Sequence, residues 1–166
     1  LGDISKGGGA IHEHSHGLHL AIYILKKLKI KNYDFNSNIF FKDMENKPTY
    51  DVASVLRFSN SKINLVLETD LLEDNPQKKI IFFNSKTKII WHNSFTKNLD
   101  CIDYQNKKFK KKYNFKKNRS SEFEKEIYHI FNIKNQNQYN NSPLNIKYSI
   151  EVMKKISRTL KNAKHF

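Results

Sequence analysis

Apolar residues recur at helical spacing near the start of the chain. In residues 10–28, Ile11, Leu18, Ile22 and Leu25 are separated by intervals close to whole turns of an α-helix. This pattern predicts one helix over residues 10–28, with the four apolar side chains facing a core.

The middle of the chain has the two-residue alternation that is typical of strands. Val52, Ser54, Leu56 and Phe58 take every second position, and "SNSK" separates this run from "INLVLET", which predicts a β-hairpin. "KKIIFFN" and "TKIIWHN", joined by "SK", predict a second hairpin. "IFFKD" and residues 107–115 predict two further strands.

A helix is predicted directly after the strands. In "RSSEFEKEIYHIF", Ser121 and Glu124 have the spacing of a capping box. Its apolar stripe consists of Phe123, Ile127, Ile130 and Phe131.

The last helix is predicted to begin at Ser142 as N-cap and Pro143 as first helical residue. Its single apolar face is expected to consist of Ile146, Ile150, Met153 and Leu160.

The order of these elements predicts an α+β fold. Hairpin connections imply an open, mostly antiparallel sheet of about five or six strands, with helices packed on one face. The 166 residues are expected to form a single domain over residues 1–166.

The net charge of the chain is compatible with a polyanionic partner but does not identify one. A net charge of +14 suits a polyanion, but the lysines are spread along the chain, as a lysine-rich composition alone would place them. In residues 107–117, Phe109, Tyr113 and Phe115 fall on odd positions, so the intervening lysines are expected to protect a half-buried edge strand. A nucleic-acid surface is the less favoured interpretation there.

Cysteine usage and hydropathy bear on the compartment. Cys101 is the only cysteine, so no internal disulfide can form, and a reducing, cytoplasmic compartment is expected. The longest apolar run, "LHLAIYIL", is far shorter than the ~20 residues that cross a bilayer, so no membrane partner is expected. The chain begins at Leu1 and is expected to be part of a longer protein.

The candidate chemistry is concentrated in "KGGGAIHEHSHGLHLAIYILKK". On a helix over residues 10–28, His12, His16, His19 and Tyr23 share one stripe at the edge of the core. Glu13, three residues before His16, is within reach of its imidazole. Glycines before the helix let the backbone approach a ligand closely.

Three interpretations of this segment remain open on the residues alone. It is a polar helix edge without chemistry, or a metal site, since His12, Glu13 and His16 formally match "HExxH". The third is acid/base chemistry on a bound polyol or sugar, in which a carboxylate-oriented imidazole moves a hydroxyl proton.

The segment "GGGAIHEHSHGLHLAIYIL" resembles the signature of the Gfo/Idh/MocA oxidoreductases, and "DVASVLRFSNSKINLVLET", "KKIIFFNSKTKIIW" and the last helices resemble later elements in the same order. The resemblance covers only the family's C-terminal domain, which supplies the substrate pocket and often the dimer interface. It implies that NAD or NADP is bound mainly by a preceding Rossmann domain, which these 166 residues do not include.

The resemblance also implies roles for single residues. His16 and Glu13 form the catalytic pair that handles the substrate hydroxyl proton, and three further side chains line the substrate pocket. These pocket residues are His12, His19 and Tyr23. The cofactor junction lies at Gly7, Gly8 and Gly9.

The function expected from the resemblance is substrate binding in an NAD(P)-dependent sugar or sugar-nucleotide dehydrogenase. The isolated chain would be inactive without the Rossmann domain, would hold no metal, and would form a homo-oligomer through its sheet face. A catalytically degenerate pairing module of the same fold is the alternative. A histidine-rich metal site and nucleic-acid binding are the less favoured ones.

Overall fold

The computed structural model describes residues 9–44, 47–72, 74, 78–94, 99–116 and 118–163. The helices are α1 (Ala10–Glu13), α2 (Ser15–Lys27), α3 (Arg119–Phe131), α4 (Gln136–Asn141) and α5 (Ile146–Asn162). The strands are β1 (Asp34–Met44), β2 (Lys47–Ser59), β3 (Asn64–Asp70), β4 (Lys79–Phe83), β5 (Thr87–Ser94), β6 (Leu99–Asn106) and β7 (Lys110–Lys116).

Contacts group the chain into two compact units. Unit 1 comprises residues 1–73 and 136–166, and unit 2 comprises residues 74–135. The predicted α+β class with antiparallel strands is confirmed. Instead of one sheet of five or six strands, a three-stranded sheet (β1-β2-β3) and a four-stranded sheet (β4-β5-β6-β7) are present. The prediction of a single domain is untested by this grouping.

Unit 1 packs helices on one face of the three-stranded sheet. The apolar stripe predicted for the first helix is buried, as are Val52, Ser54, Leu56 and Phe58 of the central strand β2. Ser54 Oγ and Thr69 Oγ1 form a buried cross-strand hydrogen bond of 2.7 Å. The core consists of Ile11, Leu18, Ala21, Ile22, Leu25, Leu56, Phe58, Tyr148, Val152 and Ile156.

The predicted orientation of the last helix is wrong. Helix α5 buries Tyr148, Val152, Ile156 and Thr159. Three members of the predicted core stripe are instead exposed: Ile146, Ile150 and Met153. The helix has apolar residues on two sides, and the side with the aromatic Tyr148 packs against α2 through His19 and Tyr23.

Asparagine side chains, rather than the predicted serines, cap the last two long helices. Asn118 Oδ1 accepts a hydrogen bond from Ser120 N at 3.3 Å at the start of α3. Asn145 Oδ1 accepts one from Lys147 N at 2.8 Å at the start of α5. Both place an acceptor on an N–H group that has no partner within the helix.

Lys155 of α5 reaches across the aromatic end of the unit 1 core. Its Nζ lies 4.7 Å from the ring centre of Phe35, 5.0 Å from Tyr33 and 5.7 Å from Phe58. Burial lowers the pKa of this ammonium group; Glu151 opposes that shift and Arg158 adds to it.

The same asparagine turn closes three hairpins. In "NSKI", "NSKT" and "NKKF", the first-residue side chain accepts hydrogen bonds from the backbone N–H groups of the third and fourth residues at 2.8–3.0 Å. The first residues are Asn60, Asn84 and Asn106. Each turn therefore carries a lysine at its third position, Lys62, Lys86 or Lys108.

Unit 2 has little core of its own in the part that the structure describes. Among its described residues, only Cys101 is buried. The prediction of an edge strand in residues 107–115 is confirmed by β7, although all its side chains are exposed. Strand β6 was not predicted.

None of the described helices combines the length and apolar character needed to cross a membrane.

Candidate functional site

The first helix begins beside a buried carboxylate. Gly9, the N-cap of α1, has φ +113°, a conformation that side-chain-bearing residues rarely adopt. Asp51 from β2 occupies the space that a Cβ on Gly9 would need. Its Oδ2 accepts a hydrogen bond from Ile11 N at 2.7 Å, so a carboxylate from a strand caps the start of α1.

Asp51 is the buried titratable residue that the sequence analysis missed. Alternation from Phe58 back to Val52 places Asp51 on the opposite side of the strand, yet it is only 1% exposed. A register shift in the β1–β2 ladder pairs Phe40 with Ala53 and Phe41 with Asp51. Such a bulge changes which way the following side chain points. Asp51 Oδ1 has no hydrogen-bond partner among the described residues.

The helix predicted over residues 10–28 is interrupted at His14. This residue has φ −103° and ψ 21° and separates α1 from α2. Gly17 N donates to His14 O at 2.9 Å, which tightens the joint into a three-residue turn. The interruption does not move the apolar stripe off the core, because Ile11 before it and Leu18, Ile22 and Leu25 after it are all buried.

The two residues that the resemblance assigns to catalysis lie on the surface. Glu13 and His16 are both exposed, as is His14. The structure therefore does not bring this carboxylate and imidazole together in an enclosed site.

The predicted pocket residues lie closer to the core. His12, His19 and Tyr23 are half-buried. The His19 ring stacks on Tyr148 with ring centres 5.9 Å apart, and Tyr23 meets Tyr148 edge-on at 5.9 Å. His12 Nδ1 and His19 Nε2 are buried without a hydrogen-bond partner among the described residues. Because both nitrogens are closed to solvent, a ligand hydroxyl would reach them only after neighbouring side chains moved.

Gly9, the described residue of the tri-glycine segment, does not fit the predicted role at the cofactor junction. Gly7 and Gly8 lie outside the described residues. At Gly9, the space left by the missing Cβ is already filled by the Asp51 carboxylate. A nicotinamide cofactor would have to displace a buried helix cap to approach this backbone.

A metal site receives no support from the described residues. Within them, no three histidine, cysteine, aspartate or glutamate side chains lie close enough to hold one ion.

Unit 2 contains a second candidate surface. Cross-strand partners point to the same face of a sheet, so the β4–β7 register assigns the side chains to two faces. One is mostly apolar, and the other carries most of the strand lysines together with Ile81, Ile90, Leu99 and Cys101. We define the apolar sheet face as Ile80, Phe82, Ile89, Trp91, Ile102, Tyr104, Tyr113 and Phe115. We define the basic sheet face as Lys79, Lys88, Lys110, Lys112 and Lys116, with Phe83 and Gln105.

No side chain of the apolar sheet face is buried. Phe82, Tyr113 and Phe115 are exposed, and the other five are half-buried. Tyr104 stacks on Phe109 with ring centres 5.4 Å apart, which extends the aromatic surface beyond the end of β7. A continuous apolar surface of this size marks an interaction site in ordinary globular proteins.

The chain was compared with protein families and with curated proteins. No protein-family model matches it, and no curated protein matches it.

Proposed function

We propose that this chain is a pairing domain that associates with a second copy of itself through the apolar sheet face. The single observation behind the proposal is the apolar side of the four-stranded sheet, from Ile80 on one edge strand to Phe115 on the other, on which none of the eight side chains is buried. A sheet whose apolar face meets water is marginal, and packing that face against another layer stabilises it.

The size of the face suits a homodimer. Four strands about 4.8 Å apart, each about seven residues long, give a flat area of roughly 19 by 24 Å. Side-chain relief raises the accessible area above that flat value, toward the ~800 Å² per partner of a standard interface. Two such faces would pack about 10 Å apart, as the layers of a β-sandwich do.

The distribution of charge favours a second copy on this face over the opposite one. The apolar sheet face is bordered on its own side of the sheet by two cations and one carboxylate, which are Lys78, Lys111 and Asp100. Asp100 accepts a hydrogen bond from Asn93 at 2.8 Å. Two copies would therefore meet without strong like-charge repulsion, whereas two basic sheet faces would repel each other.

Adjacent isoleucines of β5 provide a matched test. Ile89 belongs to the apolar sheet face and Ile90 points to the opposite side, and both are half-buried. We expect size-exclusion chromatography with light scattering to give about twice the 19.7 kDa chain mass for the natural chain and for Ile90→Glu. Ile89→Glu is expected to give a monomer, because it buries an unpaired carboxylate in the interface.

Trp91, the only tryptophan, lies on the apolar sheet face, so the wavelength of its fluorescence emission shows whether that face is shielded from water. Its emission should shift to longer wavelength on dilution and in Ile89→Glu, but not in Ile90→Glu. A natural chain that is monomeric at about 100 µM, with fully solvated Trp91 emission, would refute the proposal.

As a second candidate, we infer substrate binding beside α2 for an NAD(P)-dependent sugar or sugar-nucleotide oxidoreductase. The observation in its favour is that two half-buried imidazoles, His12 and His19, each have a buried nitrogen without a hydrogen-bond partner among the described residues. In this second candidate, His12 and His19 would bind substrate hydroxyls. The exposed Glu13 and His16 would transfer the hydroxyl proton only if another domain covered them. The cofactor, NAD or NADP, and the cytoplasmic location remain predictions of this version.

Calorimetry distinguishes the two candidates. If the second holds, titration with a panel of uridine and thymidine diphosphate sugars gives saturable heat, and His19→Phe removes it while keeping the stacking on Tyr148. His14→Phe, at an exposed position, is the matched control and should bind normally. A stable dimer that gives no heat with any of these sugars supports the pairing domain alone.

A further inference from the structure

One cross-strand row of the basic sheet face combines an aromatic ring with cations. Phe83, Lys88, Gln105 and Lys110 are successive partners across all four strands, and every one is exposed. Phe83 is 75% exposed, which is unusual for a phenylalanine outside an interface. At the strand spacing of about 4.8 Å, the row is roughly 14 Å long.

Two asparagine turns add cations at the same end of the sheet. The β4–β5 turn carries Lys86, and the β6–β7 turn carries Lys107 and Lys108. The Asn84 and Asn106 side chains hold these turns by accepting backbone hydrogen bonds of 2.8–2.9 Å. We call these turn lysines, together with the row of Phe83, Lys88, Gln105 and Lys110, the Phe83 row.

No carboxylate neutralises the Phe83 row within the described sheet. The only acidic strand residue on the basic sheet face is Asp103, which pairs with His92 at 3.3 Å. Unit 2 as a whole has 15 basic and 6 acidic residues. The five lysines of the row are close enough, relative to the ~8 Å Debye length of physiological salt, to repel one another. A polyanion would remove that repulsion and release counterions.

Protection of edge strands does not account for this arrangement. Lysines on β4 and β7 would blunt the edges, but Lys88 lies on the interior strand β5. Edge protection also gives no reason for the solvent-facing ring of Phe83.

We propose that the Phe83 row binds single-stranded nucleic acid, independently of pairing through the opposite face. Phe83 stacks on a base, and the five lysines contact the flanking phosphates. An exposed ring bordered by cations is the chemistry by which sheets bind single strands without sequence preference. A duplex hides its base faces within the stack, so the ring would add nothing to duplex binding. The row has room for about four nucleotides at a rise of ~3.4 Å.

Fluorescence anisotropy of the full chain with a labelled 15-mer of oligo(dT) tests the proposal between 50 and 300 mM salt. Each phosphate contact on a single strand contributes about −0.7 to the slope of log K against log salt, so five lysines predict a slope of about −3.5. Lys88→Ala with Lys110→Ala should reduce its magnitude by about 1.4. The control double variant, Lys62→Ala with Lys154→Ala, removes the same charge from unit 1 and should leave the slope unchanged.

The aromatic part of the proposal has its own variants. Phe83→Ala should weaken oligo(dT) binding about tenfold with an unchanged salt slope, and Phe83→Trp should restore it. Equal affinity for a 15-base-pair duplex, no effect of Phe83→Ala, or equal losses in the unit 1 control would overturn the proposal. Binding to phosphatidylserine vesicles but not to oligo(dT), lost in the same variants, would assign the surface to membranes and overturn it too.

Discussion

Gly9→Ala is expected to destabilise unit 1 by about 3 kcal/mol. Placing a side chain at the φ of +113° and ψ of 159° that Gly9 adopts, a region essentially confined to glycine, costs about 1–3 kcal/mol. The new methyl group would also displace the Asp51 carboxylate, whose hydrogen bond to Ile11 N is worth about 1.5–3 kcal/mol as a charged interaction. Hydrogen exchange of residues 9–22, measured by mass spectrometry, would show faster opening of α1 and the start of α2.

The other described glycine provides the control. Gly17 lies within α2, and the nearest atoms to a Cβ there belong to the flexible Leu67 side chain, with Cδ1 at 3.1 Å. Alanine is favoured over glycine inside a helix by about 1 kcal/mol, so Gly17→Ala should remain within about 1 kcal/mol of the natural chain. Equal exchange rates for Gly9→Ala and Gly17→Ala would contradict the proposed role of Gly9.

A double-mutant cycle isolates the contact between Gly9 and Asp51. Asp51→Ala removes the obstacle, so Gly9→Ala should cost less in that background than in the natural chain. What remains is the backbone penalty alone. Strict additivity of the two substitutions would mean that the carboxylate and the glycine do not constrain each other.

Periodicity located those parts of the fold that bury one clear apolar stripe. Leu18, Ile22 and Leu25 repeat at helical spacing with Ile11, and this repeat marks the buried side of α2, although Leu20 and Ile24 on its other sides are also apolar. The same holds for Leu56 and Phe58 in β2. Where apolar residues repeat at the period of a helix or strand, the hydrophobic effect favours burial of that side, so the pattern predicts the orientation of the element.

Helix α5 shows why the same reasoning fails when two faces are apolar. Ile150 and Met153 form a stripe as regular as Tyr148, Val152 and Ile156, yet only the second stripe is buried. Which of the two faces is buried depends on the contacts that α5 makes with α2 and the sheet, including the stacking of Tyr148 on His19. That information is tertiary and absent from the local pattern.

The candidate site was predicted less well than the core. Glu13 and His16, on either side of the irregular residue His14, are exposed instead of lining a cleft. The bulge opposite Phe40 and Phe41 turns Asp51 inward. Neither feature has a strong sequence signal. The glycines before α1 allow a positive φ, but they do not indicate that Asp51 fills the space beside Gly9.

Phe58→Ala is the other substitution with a large expected effect, about 3–5 kcal/mol on unit 1. Phe58 is fully buried on the central strand β2 and contacts the rings of Phe35 and Tyr33 at 4.9 and 5.4 Å between ring centres. Removing it leaves a cavity bounded by those rings, and Lys155 loses one of the three rings beneath its ammonium group.

The cavity would also change the environment of Lys155. Burial is the main cause of the lowered pKa of this group, so water entering beside it should return the pKa toward its ordinary value. A lysine with a lowered folded-state pKa takes up protons on unfolding at pH values between its folded and unfolded pKa. This group's contribution to stability therefore rises with pH across that window. Phe58→Ala should flatten that rise, which pure loss of packing would not.

The measurement must report on unit 1, because Trp91 lies in unit 2 and need not follow the unfolding of the other unit. Hydrogen exchange of residues 51–59 at pH 7 gives the loss of stability, and NMR titration of the Lys155 side chain gives its pKa. Phe40→Ala, at a 53%-exposed position on β1, removes the same atoms from a solvated site and should cost under about 1 kcal/mol. If Phe58→Ala cost no more than Phe40→Ala, the aromatic cluster would not be a determinant of the unit 1 core. An unchanged pKa of Lys155 in Phe58→Ala would mean that another part of its surroundings lowers that pKa.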